Sequence, residues 1–185
     1  MEKLTQEELN RLIELHGNWL NKKTDGLRLQ LSGEDLTGLN FCHTNLHGAD
    51  LSKVNLRVND LRVTSLCEAN LREADLYNAD LQGASLRGAD LHDADMRETD
   101  LHKVNMRGAN LRGANIDYAS WPLWCGSLGV LVDRRIWIQL AYHLCSLEVD
   151  DMECNKYRDM LLPIANQFHR VKGCGYLQKK SSSES

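Results

Sequence analysis

Cysteine, histidine and aspartate are the side chains here whose spacing most invites chemistry. Cys42 and His43 are adjacent, and His47 and Cys67 follow in the same repetitive stretch. Thiolate and imidazole donors suit zinc or another soft metal. Cys42 and His43 fall apart from His47 and Cys67, so no single place has an evident fourth ligand, and Cys145 and Cys154 come without a paired histidine. We therefore expect no metal and no cofactor. His92 and His102 read as plain surface residues. The chain has no CxxC, HExxH, GxSxG or phosphate-cradling glycine loop in a fitting context. Aspartates that recur beside arginines resemble paired acid–base carboxylates. They lie on a repeating convex wall, and catalysis needs a concave, water-excluding pocket. The expectation is a protein that is not an enzyme.

The elements that position these side chains follow from a period of five. Every fifth residue from Leu31 to Trp121 is large and apolar: 19 of 19 positions, 14 of them leucine. We call this position i. Alanine fills i−2 at 10 of the 19, Asp or Asn fills i−1 at 15, and seven arginines (57, 62, 72, 87, 97, 107, 112) stand at i+1. A helix would smear this period around its circumference, and a strand would flip successive leucines to opposite faces. The pattern fits a coil in which each five-residue unit is one side. A large and a small residue point inward, and Asp, Asn and Gly supply a turn at every corner.

Segments such as Ala69-Asn70-Leu71-Arg72-Glu73, Ala79-Asp80-Leu81-Gln82-Gly83 and Ala89-Asp90-Leu91-His92-Asp93 resemble the pentapeptide-repeat family, whose consensus is A-(D/N)-L-x-x. The resemblance spans residues 29–121. It implies an all-β solenoid with helical ends: a right-handed quadrilateral β-helix of four to five coils, four units per coil, rising about 4.8 Å per coil. Residues 20 apart then stack. Six of the eight i−1 aspartates fall in two adjacent columns, Asp35, Asp75 and Asp95 in one and Asp60, Asp80 and Asp100 in the next. Asp60, Asp75, Asp80, Asp95 and Asp100 are the candidate interaction surface, either as a salt-laced solvated wall or as an acidic stripe for a basic partner. Glu34 sits at an inward position near the open first coil. Asn59 and Thr64 do so further on, where we expect a bulge or side-chain bonds to the backbone.

Residues 1–26 are expected to cap the array. Thr5 and Glu8 form a capping box, and Leu9, Leu12, Ile13, His16, Trp19 and Leu20 share one stripe over 5–23. The array itself is 27–121. Residues 122–178 form a helical region: Asp133 can N-cap a helix to about Leu147, and Pro163 should kink or split a second one. Ile136, Trp137, Leu140 and Leu144 would either cap the last coil or form a homodimer. Residues 179–185 read as a frayed tail.

Composition narrows the function. The chain has 185 residues, 22 basic against 26 acidic, and a net charge of −4, which argues against a basic nucleic-acid binder. No apolar run reaches the length of a membrane span, and the start is too charged for a signal peptide. A cytoplasmic chain with reduced thiols is expected. The expected function is a scaffold or protein-interaction module with an unknown protein partner. The resemblance also implies an alternative, since some family members mimic duplex DNA and bind DNA gyrase or topoisomerase IV. The array carries 10 basic against 14 acidic residues, sparse beside one negative charge per ~1.7 Å of duplex.

Overall fold

The period of five closes into a coil because every backbone N–H of a unit finds a partner. A computed structural model describes residues 3–120, 130–145 and 152–167. In the unit 71–75, Leu71 donates to Asp90 O at 2.7 Å and Glu73 to His92 O at 2.9 Å, both one coil ahead. Asp75 donates back to Val54 O at 2.9 Å, Ala74 closes the turn onto Leu71 O at 3.1 Å, and Arg72 N–H goes to the Asn70 side chain at 3.3 Å. No donor is left over, as buried main chain requires. Parallel bridges join residues 20 apart, from Gln30↔Asp50 to Asp95↔Asn115, so four units complete one circuit. The series resumes at Leu131, which bridges Asn110 at a spacing of 21.

Sequence explains the corners. Each i+2 residue from Gly33 to Gly113, and Tyr118 beyond it, has a positive φ, and in every unit but the one closed by Val54 the i+3 N–H returns to the carbonyl of i. These are the marks of a type II turn, which favours Gly or Asn at its third residue. Val58 and Val63 take that conformation at φ 58, which is costly for a β-branched side chain. All fifteen Asp and Asn residues at i−1 accept from the N–H two residues on, at 2.8–3.3 Å. This local side-chain bond is why the position is so restricted.

Inside, leucines stack over leucines. From Leu46 to Leu111 every i and i−2 residue is at most 2% exposed. Burial of each leucine is worth roughly 1.5–3 kcal/mol. Asn59 and Thr64 keep the coil running by bonding to the coil below. Asn59 Nδ2 donates to Leu36 O at 2.9 Å and its Oδ1 accepts from Gly38 N–H at 3.0 Å. Thr64 Oγ1 donates to Phe41 O at 2.7 Å. Of the two outcomes anticipated there, side-chain bonding is the one observed. Glu34 is half-buried.

Helix α1, Gln6–Leu20, begins with the anticipated capping box. It covers the open start of the array with specific bonds. The Gln6 amide accepts from Asn40 N–H at 2.7 Å and donates to Asn40 O at 3.2 Å, pairing as a neighbouring strand would. His16 Nδ1 accepts from Leu29 N–H at 3.1 Å, and Lys3 Nζ donates to Thr37 Oγ1 at 2.6 Å.

The chain divides into two compact units, Met1–Leu131 and Val132–Ser185. In the second, helices α2, Arg134–Cys145, and α3, Met152–Ala165, pack through Ile138, Ala141, Tyr142 and Cys145 against Leu162 and Ala165. Asp133 caps α2 through Ile136 N–H at 2.9 Å. Helix α3 runs on through Pro163 and ends two residues later. Trp121, the stretch 121–129 and the tail 179–185 lie outside the described residues. Among those described, no helix is long and apolar enough to cross a membrane.

Candidate interaction surface

Four units per circuit give the array four sides, each with a column of i−1 residues between two corners. The first side carries Gln30, Asp50, Asn70, Asp90 and Asn110. Acid and amide alternate there, so Asn70 Nδ2 donates to Asp50 and Asn110 Nδ2 to Asp90, both at 2.9 Å. Arg72 pairs with Asp90 at 3.1 Å and Lys53 with Glu73 at 3.7 Å.

The second side holds Asp75 and Asp95, which bridge one another across adjacent coils. Arg57 binds Asp75 at 3.0 Å, and Arg97 grips Asp95 with two nitrogens at 2.8 and 2.6 Å. Tyr77 lies between the two guanidinium groups, 4.3 Å from Arg57 and 5.4 Å from Arg97. Cations against an aromatic face attract, so this column is a closed stack of alternating charge and ring. The Arg97 fork holds the Asp95 carboxyl below the usual carboxylate range. The Tyr77 phenol is pushed up by its bond to Glu98 and by that carboxylate's charge.

On the third side Asp60, Asp80 and Asp100 follow one another. Arg62 binds Asp60 through two nitrogens at 2.9 and 2.7 Å and lies 3.6 Å from Asp80. That pairing lowers Asp60 to about 2. Asp100 is met by His102 Nδ1 at 2.6 Å and by Ser120 Oγ at 3.0 Å. The structure thus brings the five aspartates into two adjacent columns, and each has a basic neighbour.

The fourth side differs. Its column is Asn45, Ser65, Ser85 and Asn105, without a carboxylate. Its following corner carries His47, Cys67, Arg87 and Arg107. His47 and Cys67 do share this corner, as stacking by 20 requires. Cys67 Sγ meets Ser85 Oγ at 3.1 Å, and His47 lies 3.9 Å from Glu68. Among the described residues no group of three or more His, Cys, Asp or Glu could hold a metal ion. Sequence reasoning grouped the acids and passed over the side that lacks them, although the serines at i−1 were the visible signal.

The remaining candidates are on α2. Ile136 is buried, Leu140 is half-buried, and Trp137 and Leu144 are 51% and 57% exposed.

Comparison with known proteins extends these observations. A family described as pentapeptide repeats matches in eight copies, over residues 30–57, 60–93 and 80–117. Comparison with curated proteins returns no match. Among solved structures, the pentapeptide repeat protein Rfr23 from the cyanobacterium Cyanothece 51142 is 27% identical over 57% of this chain and 84% of that one, with a TM-score of 0.45. The protein alr5209 from Nostoc PCC 7120, also a pentapeptide repeat protein, is 26% identical over 68% and 95%, with a TM-score of 0.46. QnrB1, a plasmid-mediated fluoroquinolone resistance protein, is 19% identical over 65% and 63%, with a TM-score of 0.43. With its period, its corner chemistry and its matched repeats, the segment 30–117 is an array of pentapeptide repeats.

Proposed function

We propose that this protein is a non-enzymatic scaffold that binds a partner protein on the outside of its repeat array. In this view residues 27–121 form a right-handed quadrilateral β-helix of four to five coils with helical ends, working in the cytoplasm. The observation that carries it is the filled interior. From Leu46 to Leu111 no inward residue is more than 2% exposed, so only the outward side chains are left to meet another molecule. They are held on a repeat of about 4.8 Å, which suits a macromolecular surface better than a small substrate.

A mimic of duplex DNA directed at DNA gyrase or topoisomerase IV is less favoured. Asp60, Asp75, Asp80, Asp95 and Asp100 each meet Arg57, Arg62, Arg97 or His102, whereas phosphates repeat without internal cations.

The helical unit adds a second copy of the chain as a proposed partner. Trp137 and Leu144 of α2 and Tyr157 and Met160 of α3 are all more than half exposed, an unusual load of large apolar surface. Sedimentation that shows a monomer at high concentration would remove this part.

Affinity capture from extracts of the source organism, followed by calorimetry with the purified partner, tests the scaffold. Saturable binding that weakens when one side's outward residues are changed is the expected result. Turnover of a small substrate by the purified protein, lost on the same substitutions, would contradict it.

A further inference from the structure

We infer that the fourth side, along its later coils, is a docking strip for an acidic segment of a partner protein. This rests on the scaffold reading and gives it a surface and a partner chemistry.

The cations of the array divide into bound and free. Residues 27–121 contain 10 basic side chains. Arg57, Arg62, Arg72, Arg97 and Lys53 are bound by carboxylates, and Arg28 donates to Gly48 O at 2.7 Å. Arg87, Lys103, Arg107 and Arg112 remain, all exposed and without an ion pair among the described residues. Three of them flank the fourth side. Gly88 N–H bonds to Arg107 O at 3.0 Å, which sets Arg87 and Arg107 one above the other on one corner. Lys103 stands on the opposite corner of the same side, and Arg112 one corner further on.

The column of this side offers the arginines no carboxylate of its own. Its i−1 column holds Ser85 and Asn105 where the second and third sides hold Asp95 and Asp100. Glu68, the one carboxylate on its corners, faces His47. Gly108 follows Arg107 and keeps the edge low there, where a Cβ would meet nothing within 4 Å; at Gly88 the Glu68 side chain lies 3.4 Å from where a Cβ would stand. Two guanidinium groups carried on adjacent coils of one corner repel one another until an anion bridges them, and their planar forks match carboxylates.

Carboxylates are favoured over phosphates. Four free cations fall short of the six to ten phosphate contacts of a typical DNA binder, and the chain's net charge of −4 repels a long polyanion. An extended peptide places side chains of one face about 6.6 Å apart, within reach of arginines on adjacent coils.

Fluorescence anisotropy with labelled octaglutamate and the full chain tests this, with a labelled eight-residue oligothymidylate in parallel. At about 0.05 M salt octaglutamate should bind saturably, and at about 0.5 M its affinity should fall at least ~10-fold. R87E/R107E should weaken binding at least ~10-fold. R57Q/R97Q, which removes as many arginines from the second side, should leave it within ~2-fold. Circular dichroism checks that both variants fold. No saturable binding to about 1 mM, equal binding by R87E/R107E, or tighter binding of the oligonucleotide overturns the proposal. A native partner complex that survives R87E/R107E would remove the strip and leave the scaffold standing.

Discussion

Leu71→Ala places the heaviest demand on the packed interior. Leu71 is fully buried, with Leu51 and Leu91 stacked at the same position of the coils before and after it, both 0% exposed. The change deletes three carbons. At about 0.8 kcal/mol each, transfer alone costs about 2.4 kcal/mol. The neighbours are fixed by main-chain bonds on both sides, Leu71 N–H to Asp90 O at 2.7 Å and Leu51 N–H to Asn70 O at 2.8 Å, so the coil cannot collapse into the gap. A cavity term therefore adds to the transfer term, and the total should reach ~3–4 kcal/mol. For a chain of this size that lowers Tm by ~6–16 °C. Urea and thermal unfolding followed by circular dichroism measure it. Leu27→Ala is the comparison, since Leu27 is 62% exposed, and it should cost under ~1 kcal/mol. Equal losses for the two variants would refute an interior lined by the period of five.

Three further outcomes are expected. Asp60 falls to about 2 beside Arg62, and Asp95 and Asp90 are also lowered; carboxylates depressed in the folded state add stability above their ordinary value of 3.8, lost as pH drops through the folded values. Melting temperature should thus decline between pH 4 and 2, and Arg62→Gln should flatten that decline. His16 is lowered by burial, with the charge of Arg28 adding to it and a pull from the His47 main chain opposing it. Its neutral ring accepts from Leu29 N–H, so docking of α1 is stable above the ordinary histidine value of 6.5 and weakens as pH falls from there through the lowered folded value, read as faster amide exchange in Leu27–Leu29. Gly108→Val acts on backbone strain alone, because φ is 73 and the space is open; it should cost ~1–2 kcal/mol, whereas Gln82→Ala, at an exposed side chain, should cost under ~0.5 kcal/mol.

Much of the coil was legible because the period of five leaves no other consistent geometry. Leucine every fifth residue, alanine before it and Asp or Asn between specify inside, size and turn at once, and the capping box at Thr5 marked α1. Pairing was not legible. Nothing in the sequence says that Gln6 matches Asn40 as a strand would, or that His16 takes the Leu29 N–H, because those contacts join distant residues through side-chain rotamers. On α2 the expected apolar stripe included Trp137 and Leu144. The observed one is Ile138, Ala141, Tyr142 and Cys145, since α3 covers that side and a short apolar helix gives two defensible faces. The candidate surface failed to show itself for a related reason: aspartates stand out in a sequence, but the arginines that occupy them do so only once residues 20 apart are stacked.

That stacking is open to one direct measurement. Ser32 and Ser52 are 20 apart, with hydroxyl oxygens 2.8 Å from each other. Ser32→Cys with Ser52→Cys should close a disulfide under mild oxidation, located by mass spectrometry of proteolytic fragments. Ser32→Cys with Ser65→Cys, on a different side, should not. A 32–65 bond forming as readily as 32–52 would contradict the four-unit circuit on which the sides, their charges and their partners all depend.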